Sequence, residues 1–434
     1  MPLPYFPNTE ADRAAMLQDI GVSSADELFQ DVPAKFNNVP FKLPSPLSEL
    51  ELKRELSELA VLNASSDEHA CFLGGGYYRH FIPGVIGHLT GRSEFYTAYT
   101  PYQAETSQGM LQSIYEYQSL VCQLTGMDIS NAGMYDGSTA TAEAAMMARR
   151  ITGKEEVTVL ASVNPTYQRV LETYLSGHDI HLTRLESTRD SLAPESACLV
   201  IQQPNFFGCL ENVETYSRQA HDTGARLVVI ADPVFLGMYQ SPAACGADII
   251  VAEGQALGSP ANFGGPGLGI LTCRQEYLRQ MPGRIVGRTV DIDGRPGYVL
   301  TIATREQHIR REQATSNICT NEALVALAAT VYLAALGKSG LRRVAELCYH
   351  KAHYAAEAIR RLKGFSLVFP EPFFKEFVVR CPQAPDEINR ALFQEKIIGG
   401  LDISHLRDNA LLLCVTEMNT RQEIDKLVQI LGGL

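Results

Sequence analysis

The sequence predicts an α/β protein: a doubly wound, mostly parallel sheet followed by a smaller C-terminal α+β domain. Three observations predict it. From residue 157, short apolar runs alternate with helices: VTVLA (157–161), IHLTRL (180–185), CLVIQ (198–202), LVVIA (227–231), DIIVA (248–252) and GLGILT (267–272), with helices over 165–176 and 212–223. Unbroken Val/Ile/Leu runs suit strands covered on both faces. After residue 362 the pattern changes, and FSLVF, FFKEFVVR and LLLCV alternate with helices around 384–398 and 420–432. Finally, 434 residues are long for one domain. The expected division is a helical arm over 1–65, a large domain over 66–335 and a small domain over 336–434.

The arm opens with Thr9-x-x-Asp12, a capping box ahead of Met16, Leu17 and Ile20, and Gly21 is its stop. Ser24-x-x-Glu27 starts a second short helix, closed by Pro33. Residues 40–46 read as extended, and Ser45-Pro46 as the N-cap and N1 pair of a third helix carrying Leu52, Leu56 and Leu59. Such an arm is expected to wrap another domain or subunit.

Residues 66–106 read as loop, rich in Gly, Tyr and His. The glycines at 74–76 follow no strand at the spacing of a nucleotide fingerprint. Tyr96, Tyr99 and Tyr102, with Gln103 and Glu105, either line a polar pocket or are packed aromatics with wet hydroxyls. Over 107–125, Met110, Ile114, Tyr117, Val121 and Leu124 mark an amphipathic helix. A turn at Asp136-Gly137 then delivers a helix beginning Ser138, Thr139, Ala140 and Thr141. Small residues at a helix N-terminus are either a phosphate cradle or a well-capped end packed closely by alanines.

Residues 281–317 read as a long polar connection holding Arg284, Arg288, Arg295, Arg305, Arg310 and Arg311. These arginines form surface salt bridges or meet an anionic ligand or acidic partner face. A buried helix with Leu324, Leu327, Ala328 and Val331 follows, then a helix over 341–362.

The composition, 45% hydrophobic and 20% charged, is that of a soluble globular protein. A formal charge of −12 argues against nucleic-acid or anionic-membrane partners. No apolar run is expected to approach the ~18–20 residues of a bilayer span, and the N-terminus lacks the pattern of a signal peptide. Ten cysteines with no C-x-x-C predict reduced thiols, a cytoplasmic location and no metal centre.

The chemistry is concentrated at 227–269. Leu227 to Ala231 is a strand ending in Asp232-Pro233, and GADIIVAEGQALGSPANFGGPGLG (246–269) is a second strand–loop unit. Many pyridoxal-phosphate (PLP) enzymes are laid out this way. The acid holds the pyridinium nitrogen, and a lysine on the next strand's loop forms the Schiff base. Here Gln255 stands at the lysine position, and no Lys occurs between Lys154 and Lys338. An amide nitrogen cannot form an imine, because its lone pair is delocalised into the carbonyl.

Five segments carry a family resemblance: YTPYQAETSQG (99–109), MYDGSTATAEA (134–144), the 246–269 unit, TREQHIRREQATSNICTNEAL (304–324) and FFKEFVVR (373–380). Over nearly its whole length the chain resembles the N-terminal-half subunit of the split P-protein, the glycine decarboxylase of the glycine cleavage system. The resemblance implies a type I PLP-dependent transferase-like fold. It implies that the Schiff-base lysine, and with it PLP, belongs to a partner, P-protein subunit 2, in an α2β2 assembly. Glycine would be decarboxylated there and its aminomethyl group passed to the lipoyl arm of H-protein. This chain would hold no catalytic residue alone, only a vestigial cofactor cleft at Ser138, Thr139, Asp232 and Gln255. Thr315, Asn317 and Thr320 fit a loop reaching the partner's phosphate, and Tyr99 and Tyr102 its substrate pocket. Asn164 stands where a ring would stack on a cofactor, which suggests a cleft empty or repurposed. The competing expectation is a non-catalytic pseudoenzyme of the same fold with a binding or regulatory role.

Overall fold

The computed structural model describes residues 7–37, 40, 42–178, 180–261 and 265–434. The chain divides into two compact units, Met1–Ala64 and Ser65–Leu434.

In the first unit, the helix Glu10–Ile20 has the expected capping box. Thr9 N–H donates to Asp12 Oδ2 at 2.7 Å and Asp12 N–H to Thr9 Oγ1 at 3.2 Å. Gly21 ends it at φ 85°. The second helix is a 3-10 turn, Ala25–Phe29, without a side-chain cap from Ser24. The third is Glu49–Ala60, and its cap is Ser48, not Ser45. Ser48 N–H donates to Glu51 Oε2 at 2.8 Å, and Glu51 N–H returns to Ser48 Oγ. A start at Ser45 would place a serine where the reciprocal carboxylate is needed, so the box three residues on wins. Position 41 of the predicted extended 40–46 segment lies outside the described residues.

The second unit is built on a seven-stranded sheet. Its order is Ile129–Ser130, Gly269–Cys273, Ile249–Glu253, Arg226–Ala231, Ser196–Gln203, Glu156–Leu160 and His181–Leu185. The last five are parallel, and Gly269–Cys273 runs against both its neighbours. The central strands bury Val228, Val229, Ile250 and Val251 completely. The helix Gly137–Thr152 lies on the sheet through Ala140, Ala144 and Ala148, whose small side chains let it approach closely. The register sets up the site: Ala231 pairs with Ala252, so Asp232 and Glu253 emerge side by side at the carboxyl ends of their strands.

The predicted connection at 281–317 is in part an antiparallel hairpin, Ile285–Val290 with Pro296–Thr301. Asp291 Oδ1 accepts the N–H groups of Asp293 and Arg295 at 2.9 and 2.8 Å, and Gly294 takes φ 79°. Gly287, Arg288 and Gly297 interrupt the apolar pattern of these strands, so the run did not read as a hairpin. Of the six arginines in 281–317, Arg284 and Arg305 are buried.

The helix Ala323–Arg360 spans the expected boundary at 335/336 and serves both sheets. It is the one helix among the described residues long and apolar enough to cross a membrane, contrary to the expectation that no run comes near that length. It is broken at Gly337 (φ 61°, ψ −175°). Its first arm is therefore only ~21 Å long, and buries Ala326, Ala329, Tyr332 and Leu333 in the core. Its second arm packs Ala352, Ala355 and Ile359 against the small antiparallel sheet of Ser366–Leu367, Glu376–Arg380, Ala410–Cys414 and Leu401–Asp402. The helices Pro385–Gln394 and Arg421–Gly433 complete that layer.

Candidate functional site

Asp232 faces a lysine. Lys375, at the start of the 376–380 strand of the small sheet, places Nζ 2.6 Å from Asp232 Oδ2. The ammonium also lies 3.2 Å from His80 Nε2 and 3.6 Å over the Tyr78 ring. Lys375 is only 2% exposed. Burial alone would push Asp232 up, but the Lys375 charge and hydrogen bond hold its carboxyl below the usual range. Burial likewise works against the ammonium, and Asp232 outweighs it, so Lys375 stays charged. With Nε2 turned to a cation, the hydrogen-bond network assigns His80 its proton on Nδ1, which donates to Glu417 Oε2 at 2.8 Å. Glu417 also accepts Phe81 N–H at 2.7 Å and is held down to about 2 despite burial. His80, Cys348 and Glu417 converge to within 4.8 Å. The neighbouring ammonium opposes a metal cation there.

The N-terminus of the 137–152 helix meets carboxylates. Gly137 N–H donates to Glu253 Oε2 at 2.9 Å, and Thr139 N–H to Asp136 Oδ1 at 2.8 Å. The Ser138 hydroxyl donates to Asp136 Oδ2 at 2.7 Å. The other Glu253 oxygen accepts the N–H groups of Gln255 and Leu268, both at 2.9 Å. Burial pushes Glu253 up to about 7 against these three donors. A Cβ on Gly137 would lie 2.3 Å from the Tyr167 hydroxyl, so only glycine fits beneath that ring.

Gln255 is 1% exposed. Its Nε2 donates to the carbonyls of Tyr78 at 3.0 Å and Ser259 at 2.7 Å, and its Oε1 accepts Tyr78 N–H at 3.0 Å. The amide thus pins the 74–80 loop. A Cβ on Gly74 would lie 2.2 Å from Glu376 Oε1, and Gly75 N–H donates to that oxygen at 2.7 Å. The glycines let this loop press onto the small sheet. Tyr78 Oη donates to Glu376 Oε2 at 2.8 Å, and burial raises Glu376 to about 7. Asn164 is a helix cap: its side-chain oxygen accepts Thr166 N–H at 2.9 Å, and its amide donates to Gly75 O at 3.0 Å.

Of the four expected cleft residues, Asp232 lines the remaining cavity, Ser138 and Thr139 are held on Asp136 next to the Gly137–Glu253 bond, and Gln255 donates its backbone N–H to Glu253. What remains open there is a cavity of ≈ 40 Å³ lined by residues including Tyr78, Asp232, Glu253, Lys375 and Glu376. Cofactor sites occupy roughly 300 Å³ or more. The residues do not fit PLP: a lysine holds the pyridinium partner, a glutamate holds the phosphate-binding N–H, and an amide replaces the Schiff-base amine.

The other predicted residues lie apart from this cavity. Tyr99 and Tyr102 are exposed. The Arg284 guanidinium stacks 5.3 Å over the Tyr102 ring and sits 3.5 Å from Glu306. Thr315 and Asn317 line a cavity of ≈ 300 Å³ with Glu143, Arg150 and His178, on the flank of the 137–152 helix. Ser316 Oγ donates there to Glu143 at 2.7 Å. Thr320 is half-buried. Sequence reasoning missed Tyr78, His80, Glu253, Lys375, Glu376 and Glu417. A lysine and glutamate inside the apolar run FFKEFVVR were the one local signal.

Fold and cleft together define a chain of the type I PLP-dependent architecture whose own cofactor slot is filled by side chains. Solved structures share the fold: sphingosine-1-phosphate lyase of Burkholderia pseudomallei (TM-score 0.65, 17% identity, 92% and 93% of the two chains covered) and Lactobacillus brevis glutamate decarboxylase (0.66, 13%, 92% and 95%). A glycine decarboxylase (P-protein) of the glycine cleavage system, in inhibitor-bound form, superposes with TM-score 0.95 at 40% identity over 99% of this chain and 100% of that one. Proteins named probable glycine dehydrogenase (decarboxylating) subunit 1 are 49% identical in Desulforamulus reducens, over 99% of both chains, and 51% in Chlorobium limicola, over 100% of both. The family model for the glycine cleavage system P-protein matches residues 4–431, and the chain belongs to that family.

Proposed function

We propose that the chain is subunit 1 of a glycine dehydrogenase (decarboxylating), the half that completes the enzyme without carrying its cofactor. The observation that supports this most is the Lys375–Asp232 pair inside a cleft whose fold is otherwise that of a PLP enzyme. A second subunit bears the PLP, which supplies an electron sink for loss of CO2 from glycine. The two subunits assemble as α2β2 in the cytoplasm, and the aminomethyl group leaves on the lipoyl arm of H-protein. This chain's part is to close the partner's site against water and position groups at its rim. Tyr99 and Tyr102, both exposed, the second under the Arg284 guanidinium, fit the substrate side, and the 315–320 loop fits the phosphate side.

The relatives' naming favours this reading over a regulatory pseudoenzyme. The test is reconstitution. The purified chain alone should release no CO2 from glycine and yield no borohydride-trapped PLP peptide. Mixed with a lysine-bearing second subunit and lipoylated H-protein, it should restore turnover that neither subunit shows alone. Decarboxylation by the isolated chain, or a second subunit fully active without it, would overturn the reading.

A further inference from the structure

We propose that this chain excludes PLP by three separate occupations of the slot, of which the missing Schiff-base lysine is the least restrictive. The inference rests on reading the slot as that of a PLP fold, and not on the decarboxylase activity.

Each position that would recognise a part of the cofactor holds an internal group of matching charge. At the ring position, Lys375 Nζ makes with Asp232 the bond a protonated pyridine nitrogen would make, at 2.6 Å. Its ammonium lies under Tyr78 at 3.6 Å, where a planar cation would otherwise stack. At the phosphate position, Glu253 takes the first free N–H of the 137–152 helix at 2.9 Å. A carboxyl oxygen already sits where that helix end would attract an anion. At the aldehyde position, Gln255 is engaged through three hydrogen bonds to the 78 and 259 backbone.

The consequence is a definite hierarchy. Supplying an amine at position 255 leaves the ring space filled and the phosphate facing a carboxylate. Shortening Lys375 empties the ring space and leaves Asp232 buried without a counter-charge, a site for a small planar organic cation. A phosphate ester still meets Glu253, whereas the same ring without its phosphate does not.

The experiment uses the full chain and two probes, PLP and pyridoxal, which lacks the phosphate. Borohydride reduction, mass spectrometry and visible absorption report the adduct, in which the amine and aldehyde condense with loss of water. Gln255→Lys alone should take up neither probe. Lys375→Ala/Gln255→Lys should take up pyridoxal about tenfold more tightly than PLP, and adding Glu253→Ala should remove that preference. Stoichiometric PLP on Gln255→Lys alone, folded by circular dichroism, overturns the proposal. So does a double variant, folded by circular dichroism, that takes up neither probe or prefers PLP. If the double variant does not fold, Lys375→Met/Gln255→Lys decides. Its uncharged stem still fills the ring space, so it should bind neither probe, and uptake of either overturns the proposal. None of these outcomes depends on decarboxylase turnover.

Discussion

Lys375 Nζ and Asp232 Oδ2, 143 positions apart in sequence, lie 2.6 Å apart in the interior, one from the small sheet and one from the large. Both are almost wholly withdrawn from solvent. Lys375→Met leaves an uncompensated buried carboxylate and should destabilise the chain by about 3–5 kcal/mol. Removing both charges, as Lys375→Met/Asp232→Asn, should recover most of the loss. Urea unfolding of the two variants checks this; equal losses in the single and double variants would show that the pair does not act as a pair.

Stability should fall as pH rises between about 4.5 and about 7. In that window the unfolded chain has ionised Glu253 and Glu376 while the folded chain still holds their protons. The folded state binds more protons, so the slope is negative, and each group accounts for about 3 kcal/mol across its full window. Glu376→Gln should flatten the slope, read from urea midpoints at a series of pH values. Glu417 acts in the opposite sense: its stabilisation is lost as pH drops from 4.5 towards about 2.

Gly137→Ala should cost several times the ~1 kcal/mol at which mutational losses centre, because the added methyl meets the Tyr167 hydroxyl at 2.3 Å and the Glu253 backbone nitrogen at 2.9 Å. Adding Tyr167→Phe removes the first contact and should return part of the loss in thermal unfolding.

Tyr99→Ala and Tyr102→Ala should leave the chain's own stability within about 0.5 kcal/mol, as exposed substitutions do, yet lower kcat/KM of the reconstituted enzyme severalfold. Steady-state rates with the second subunit, beside melting curves of this chain alone, separate the two effects. Unchanged rates would remove these tyrosines from the partner's pocket.

The sheet was legible because its central strands are apolar runs, and Asp232 and Gln255 because each follows such a run. The contents of the slot were not. Lys375 and Glu376 come from the small sheet, and Tyr78 and His80 from a loop some 300 positions earlier; no local period links them. Glu253 directly follows the strand expected at 248–252, and nothing in the sequence says that its carboxyl turns back to a helix end. The 285–301 hairpin was hidden by glycines in both strands and a charged turn, and the Ser48 cap by the more conspicuous Ser-Pro pair just before it.

A slot filled by its own side chains matures without a loading step. The slot is complete as soon as the polypeptide folds, so on the proposed division of labour vitamin shortage leaves this half intact. Its melting temperature should therefore be the same in cells grown with or without the vitamin.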